Sequence, residues 1–298
     1  MPALTTEECY AHASRFNGRV ALITGAGSGF GRALALKFTA LGAKVILGDV
    51  DAKGLAETVR LVEASAGKGK AVSGKCDVTS WDDQKALFAL GAKTFGNIDI
   101  VLPNAGVTEL HPFDPSQLTD QDAGPTPPNL TTLNIDLIGV LYTTRLALWY
   151  FEYHDKREDP GLRAITLTGS MSSFYGSYGV NYSVAKAGVV GLMKGLIPSA
   201  NALGIRVNTI CPYFSKTAIL NDDFVHPHPE LGFAKIEDVV AAFVASTSDT
   251  NPKSNLSAWL IPDQWGVYRM DARGEFVGAE MARRPKGQNP KNKGGAKL

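Results

Sequence analysis

Val20-Ala21-Leu22-Ile23-Thr24-Gly25-Ala26-Gly27-Ser28-Gly29-Phe30-Gly31 decides how the rest of the chain is read. The first four residues form a short apolar, β-rich run, the pattern of a buried strand. A glycine-rich turn follows, and then a helix from about Phe30 to Leu41. In that order the glycines permit a tight turn, let the backbone approach a pyrophosphate, and let the helix pack on the strand. The helix N-terminus then offers free N–H groups to the anion. The stretch predicts a phosphate cradle for a dinucleotide rather than a flexible surface turn.

Outward from this stretch, apolar runs alternate with longer amphipathic ones. Strands are expected at 44–48, 71–76, 98–102, 164–167, 205–210 and 257–261, and long helices at about 130–153 and 181–203. Strict alternation means parallel strands joined by crossover helices that cover both faces of one sheet. The expectation is an α/β fold: a single doubly wound parallel sheet of about seven strands, with no linker and no internal repeat. Two irregular stretches interrupt it. One is a proline-rich loop from His111 to Pro128, and the other a candidate substrate lid near 213–235.

Asp49 ends the second strand, about twenty residues beyond the glycines. A carboxylate there accepts hydrogen bonds from an adenosine ribose diol and repels a 2′-phosphate, which favours NAD over NADP. Val50 follows it, and Asp51 is close enough to share the role but is expected, as an ordinary turn acid, to be solvated.

Asn181-Tyr182-Ser183-Val184-Ala185-Lys186 opens a helix, with Tyr182 and Lys186 at i and i+4 on one face. A free phenol, with a pKa of about 10, is a poor base at neutral pH. A nearby ammonium stabilises the phenolate, so Tyr182 can take an alcohol proton as hydride leaves, or return it to a ketone. Leu167-Thr168-Gly169-Ser170 ends the preceding strand, and the Ser170 hydroxyl can bind the substrate oxygen.

These residues together resemble the short-chain dehydrogenase/reductase family over about residues 17 to 265. Gly25, Gly29 and Gly31 look like its cofactor glycines. Asp77-Val78 looks like its adenine-contacting pair, and Asn104-Ala105-Gly106 like its Asn-Ala-Gly. Ser170, Tyr182 and Lys186 match its serine, tyrosine and lysine. Pro212 with Thr217 resembles the segment whose threonine contacts the nicotinamide carboxamide. Local similarity is closest to fungal members that look like 15-hydroxyprostaglandin dehydrogenase. The resemblance implies a Rossmann-type fold, NAD held by Gly25, Gly27, Ser28, Gly29, Phe30, Gly31 and the residues above, a small alcohol or ketone as substrate, and a homodimer or homotetramer. In the family the lysine also holds the nicotinamide ribose.

The chain departs from the family in three places. Where a catalytic asparagine stands three residues before a glycine, this chain has Asp136 before Gly139. Asn134, two residues earlier, faces another side of a helix. Ser170 lies one residue nearer to Tyr182 than usual, which leaves Ser172 as a substitute. Tyr213 and Pro103 replace a glycine and an asparagine. Asp136 is nearly isosteric with asparagine, and its charge would offset part of the ammonium's pull on Tyr182. Two alternatives stay open: an NADPH-dependent carbonyl reductase, and a catalytically silent NAD-binding regulator.

Composition narrows the class. A formal net charge of +1 on 298 residues gives no argument for nucleic acid or an acidic membrane as partner. No apolar run reaches about 18 residues, so no membrane span is expected. Cys9, Cys76 and Cys211 are far apart, which argues against a disulfide framework or thiolate zinc site. His226 and His228 lack a third ligand, and no metal is expected. Residues 1–16 read as an extension and 266–298 as a basic, disordered tail. The terminal Ala296-Lys297-Leu298 is similar to the Ser-Lys-Leu peroxisomal address, so the expected location is cytoplasmic or peroxisomal.

Overall fold

Every residue of strand β1 (Val20–Thr24) is buried, and its side chains divide between two cores. Ala21 and Ile23 face one side of the sheet, Val20 and Leu22 the other, as strand geometry requires. The computed structural model describes residues 3–111, 113, 119–120, 124–158, 160–175, 179–217, 219–220, 232–262 and 266–271. After α1 (Thr6–Tyr10) come β1, α2 (Gly29–Ala40), β2 (Lys44–Asp49), α3 (Ala52–Ala66), β3 (Ala71–Lys75), α4 (Trp81–Phe95) and β4 (Ile100–Leu102). Two short strands, β5 (Thr119–Asp120) and β6 (Gly124–Pro125), pair with each other. Then follow α5 (Thr131–Leu133), α6 (Gly139–Trp149), β7 (Ala164–Thr168), α7 (Val180–Gly195), α8 (Ile197–Leu203), β8 (Arg206–Pro212), α9 (Ile236–Ser248), β9 (Ser257–Ile261) and β10 (Tyr268–Asp271).

The main sheet has eight strands in the order β10-β9-β8-β7-β4-β1-β2-β3, parallel except for β10, which runs antiparallel to β9. One core packs α2, α3 and α9 on one face through residues such as Leu34, Phe38, Val62 and Phe243. The other packs α4, α6 and α7 through Phe88, Leu146, Val189 and Met193. After β3 at one edge the chain returns to β4, which lies beside β1. A crevice opens at such a switch point, beyond the carboxyl ends of the strands, and ligands bind there in open α/β sheets.

The structure refines four expectations. The sheet expected to have about seven strands gains an eighth, β10, which lies inside the stretch read as tail. Residues 3–16, within the stretch read as an extension, pack against the domain. Cys9 and Phe16 are buried in the core under α9, Arg15 Nη1 donates to Ser248 O at 2.7 Å, and Leu4 bridges to Val267. The helix expected at 130–153 runs from Thr131 to His154 but contains two π-helical turns, Asn134–Ile138 and Tyr150–His154. The helix expected at 181–203 breaks at Leu196, because Pro198 in the first turn of α8 has no N–H to continue it. Residues 272–298, including Ala296-Lys297-Leu298, lie outside the described residues, as do 114–118, 221–231 and with them His226 and His228. Of the lid segment, 213–217, 219–220 and 232–235 are described.

Candidate active site

The glycine turn closes where β1 ends. Gly25 has a φ of +66°, and a Cβ there would come within 2.7 Å of Ala105 Cα, so only glycine fits. Gly31 lies directly against the carbonyl oxygen of Gly25, which brings α2 onto the strand. Ser28 precedes α2 without a side-chain cap, and Phe30 packs against the core beneath. The N–H groups of the first turn thus remain available to an anion.

Supports surround this turn. Asn104 donates from Nδ2 to Thr24 O at 2.9 Å, and its N–H and that of Ala105 reach Thr24 Oγ1 at 3.0 and 3.2 Å. Arg32 runs beneath the turn to the carbonyls of Gly27 and Gly54. Asp49 Oδ2 accepts the Gly27 N–H at 2.7 Å, and Oδ1 accepts the Asp51 N–H at 2.9 Å. The carboxylate is fixed beside the cradle, with Val50 exposed next to it. Asp51 instead caps α3 by accepting the Lys53 N–H.

The remaining cofactor candidates line the same edge. Asp77 turns its Oδ1 into its own loop, accepting from Thr79 N and Oγ1 at 2.9 and 2.7 Å. Val78 is buried against Gly139, and Gln84 ties Val78 O to Gly139 O through Nε2. Pro212 ends β8. Thr217 faces Gly29, for a Cβ on that glycine would lie 3.4 Å from Thr217 Cβ. Tyr213 tolerates the place of a glycine because its φ is not positive.

Asp136 meets Lys186, which shares α7 with Tyr182. The π turn Asn134–Ile138 leaves Asn134 exposed and turns Asp136 fully inward. Asp136 Oδ1 accepts the Val107 N–H at 2.8 Å, and Oδ2 stands 2.9 Å from Lys186 Nζ. Apart from that ion pair, Oδ2 has no hydrogen-bond partner among the described residues. Gly106 makes room for it: a Cβ there would lie 3.1 Å from Asp136 Oδ2 and 3.3 Å from Lys186 Nζ. Burial raises the Asp136 carboxyl above the usual carboxylate range, with Lys186 opposing. Burial pulls the Lys186 ammonium down, but the charges of Asp136 and Tyr182 outweigh it and hold the group above its ordinary value. Lys186 Nζ also donates to Thr168 O at 3.4 Å and lies 5.4 Å from the Tyr182 ring centre.

Ser170 is buried just after β7 and caps a single 3-10 turn, its Oγ accepting the Ser172 N–H at 3.1 Å. Ser173, which the motif reading did not single out, locks this turn to the tyrosine's helix. Its Oγ donates to Lys186 O at 2.7 Å and accepts the Ser170 N–H at 3.3 Å. Among the described residues no three His, Cys, Asp or Glu side chains are grouped to hold a metal, and no helix is long and apolar enough to cross a membrane. The open first turn of α2, the close-fitting glycines and the fixed Asp49 carboxylate suit a dinucleotide. Lys186, a buried cation with donors to spare beyond Asp136 and Thr168, suits a ribose at its other end.

Comparison with known proteins agrees with this geometry. A family model described as short chain dehydrogenase matches residues 19–226. Meso-2,3-butanediol dehydrogenase of Serratia marcescens is 30% identical over 272 residues, covering 88% of this chain and 100% of that protein. The mouse peroxisomal multifunctional enzyme type 2 is 36% identical over 204 residues, 66% of this chain but only 26% of that protein. The short-chain dehydrogenase/reductase prx7 of Penicillium rubens is 35% identical over 167 residues, 55% of this chain and 58% of that protein. The chain thus spans well under two thirds of the length of both. Among solved structures, levodione reductase aligns with a TM-score of 0.67 at 26% identity, over 83% of this chain and 96% of that one. An oxidoreductase family that uses a nicotinamide cofactor accounts for the cradle, the crevice and the Ser170, Tyr182 and Lys186 group alike: the chain belongs to the short-chain dehydrogenases/reductases.

Proposed function

We propose that this protein transfers hydride between NAD and a secondary alcohol or ketone of moderate size, with Tyr182 as general acid and base. The observation that carries the proposal is the buried Lys186 ammonium, 5.4 Å from the Tyr182 ring and on the same helix. The nicotinamide, when bound, supplies the hydride acceptor or donor. Tyr182 takes the alcohol proton as hydride leaves, and the ammonium favours the phenolate form that can take it. Ser170 Oγ donates to the substrate oxygen as that atom gains negative charge. Gly25, Gly27, Ser28, Gly29, Phe30 and Gly31 hold the pyrophosphate. Asp49 holds the adenosine ribose and Asp77-Val78 the adenine, Asn104-Ala105-Gly106 lines the cofactor between the glycine turn and Lys186, and Pro212 with Thr217 holds the carboxamide.

The choice of NAD rests on Asp49: a carboxylate fixed at the ribose end repels a 2′-phosphate. It disfavours an NADPH-dependent carbonyl reductase. A second reading, a silent NAD-binding regulator, draws support from Asp136, which engages the very ammonium that Tyr182 needs. The exposed Leu141, Trp149, Val180 and Val184 on α6 and α7 support self-association as a homodimer or homotetramer. The test is the reduced-nicotinamide absorbance with a panel of secondary alcohols and with NAD or NADP. Turnover with NAD that vanishes in Tyr182→Phe, at little-changed NAD affinity, is the expected result. NAD binding without reduction by any alcohol favours the silent reading.

A further inference from the structure

The helix that carries Tyr182 and Lys186 has no side-chain cap of its own. Its N-cap residue is Gly179, which has no side chain to give, yet a first helical turn needs acceptors for its N–H groups. The acceptor comes from 73 residues away in the chain. Glu109 Oε2 accepts the Tyr182 N–H at 3.1 Å, and Oε1 accepts from Asn181 Nδ2 at 3.1 Å. The approach is close enough to dictate the neighbour. A Cβ on Gly179 would meet Glu109 Cβ at 2.6 Å, so glycine at 179 is what admits the carboxylate.

The same place ties both ends of the proline-rich loop. Asn181 is buried, and its Nδ2 also donates to Asn129 O at 3.1 Å. Leu110 N–H donates to Thr132 Oγ1 at 3.1 Å, and that hydroxyl donates in turn to Thr108 O at 3.3 Å. The chain therefore departs at Leu110 and returns at Asn129 through one hydrogen-bonded knot, which is fastened to the first turn of α7. A carboxylate suits that spot twice over. Charged acceptors make the stronger hydrogen bonds, and a negative charge complements the positive end of the helix dipole.

We propose that Glu109 is a positioning residue for proton transfer: it supplies α7 with its missing cap and so fixes Tyr182, while Asn181 fastens the loop's return to the same turn. The proposal rests on Tyr182 being the acid and base. Tyr182 lies in the first turn, where an uncapped helix frays, and a misplacement of about 1 Å can cost on the order of 100-fold in rate.

The experiment compares wild type with Glu109→Ala and Glu109→Gln, the second keeping one acceptor oxygen. Three quantities are read: amide hydrogen exchange at Tyr182, the single-turnover rate of NAD reduction by the best secondary alcohol, and NAD affinity. In Glu109→Ala, exchange at Tyr182 rises at least about tenfold, hydride transfer slows about 10- to 100-fold, and NAD affinity stays within about twofold. Glu109→Gln recovers part of both losses. Unchanged exchange, or raised exchange with an unchanged transfer rate, overturns the proposal while leaving Tyr182 in its role. A wild-type enzyme that oxidises no alcohol overturns the reading beneath it. Retained NAD binding certifies that the variants are folded.

Discussion

Replacing Asp136 by asparagine tests how the lysine and tyrosine are tuned. The substitution keeps the side chain's shape and the Oδ1 acceptor for the Val107 N–H, but removes the charge 2.9 Å from Lys186 Nζ. Lys186 Nζ lies 5.4 Å from the Tyr182 ring centre. Laid end to end, the two distances put Asp136 Oδ2 at most about 8.3 Å from the ring. At that range two unit charges interact by about 2 kcal/mol with an effective dielectric of about 20. Asp136→Asn should therefore move the acidic limb of the pH profile of kcat/KM for alcohol oxidation to lower pH. It leaves a buried ammonium without its partner, so stability falls by about 3 kcal/mol, which a thermal melt reads. Initial rates across the pH range with NAD and one good alcohol make the assay. An unchanged profile would mean that Asp136 exerts no charge on the tyrosine. A shift to higher pH would mean that Lys186 has lost its proton once its partner is gone. Either result refutes the electrostatic reasoning.

Other outcomes follow from the same geometry. Asp49→Ser removes the carboxylate beside the cradle, so the ratio of kcat/KM with NADP to that with NAD should rise about tenfold or more, read from initial rates with both cofactors. At the opposite end of the sheet, burial would raise the Asp155 carboxyl, but hydrogen bonds from Arg157 and Arg163 hold it well below the usual carboxylate range. A carboxyl with a depressed folded pKa contributes stability above its unfolded value of about 3.9 and loses it as the pH falls. Melting temperatures should thus drop below about pH 5, while Asp155→Asn should cost about 3 kcal/mol at neutral pH and flatten that acid dependence.

What was legible in the chain was local. Val20 to Gly31 carries strand, turn and helix within a dozen residues, and the structure places each there because the signals are short-range sterics. The family spacing from Gly139 pointed to Asp136 over Asn134, and the structure buries Asp136 and leaves Asn134 exposed. The π turn that aims Asp136 left no trace, since a change in backbone hydrogen-bond register does not alter the side-chain pattern. The packing of the ends was illegible for a related reason. Thr6-Glu7-Glu8 is polar on its face, yet Cys9 and Phe16 beside it complete a core whose other wall is α9, more than two hundred residues later. Glu109 was invisible because a cap supplied from a distant loop has no sequence spacing at all.

The central claim is hydride transfer to NAD with Tyr182 moving the proton, and an isotope label tests it most directly. The enzyme is incubated with NAD and a secondary alcohol deuterated at its carbinol carbon, and the reduced cofactor is weighed by mass spectrometry. The account predicts reduced nicotinamide carrying the deuterium from the wild-type enzyme, and none from Tyr182→Phe although NAD still binds. Bound NAD that gains no deuterium from any alcohol, or a Tyr182→Phe enzyme that transfers it at the wild-type rate, would contradict the account.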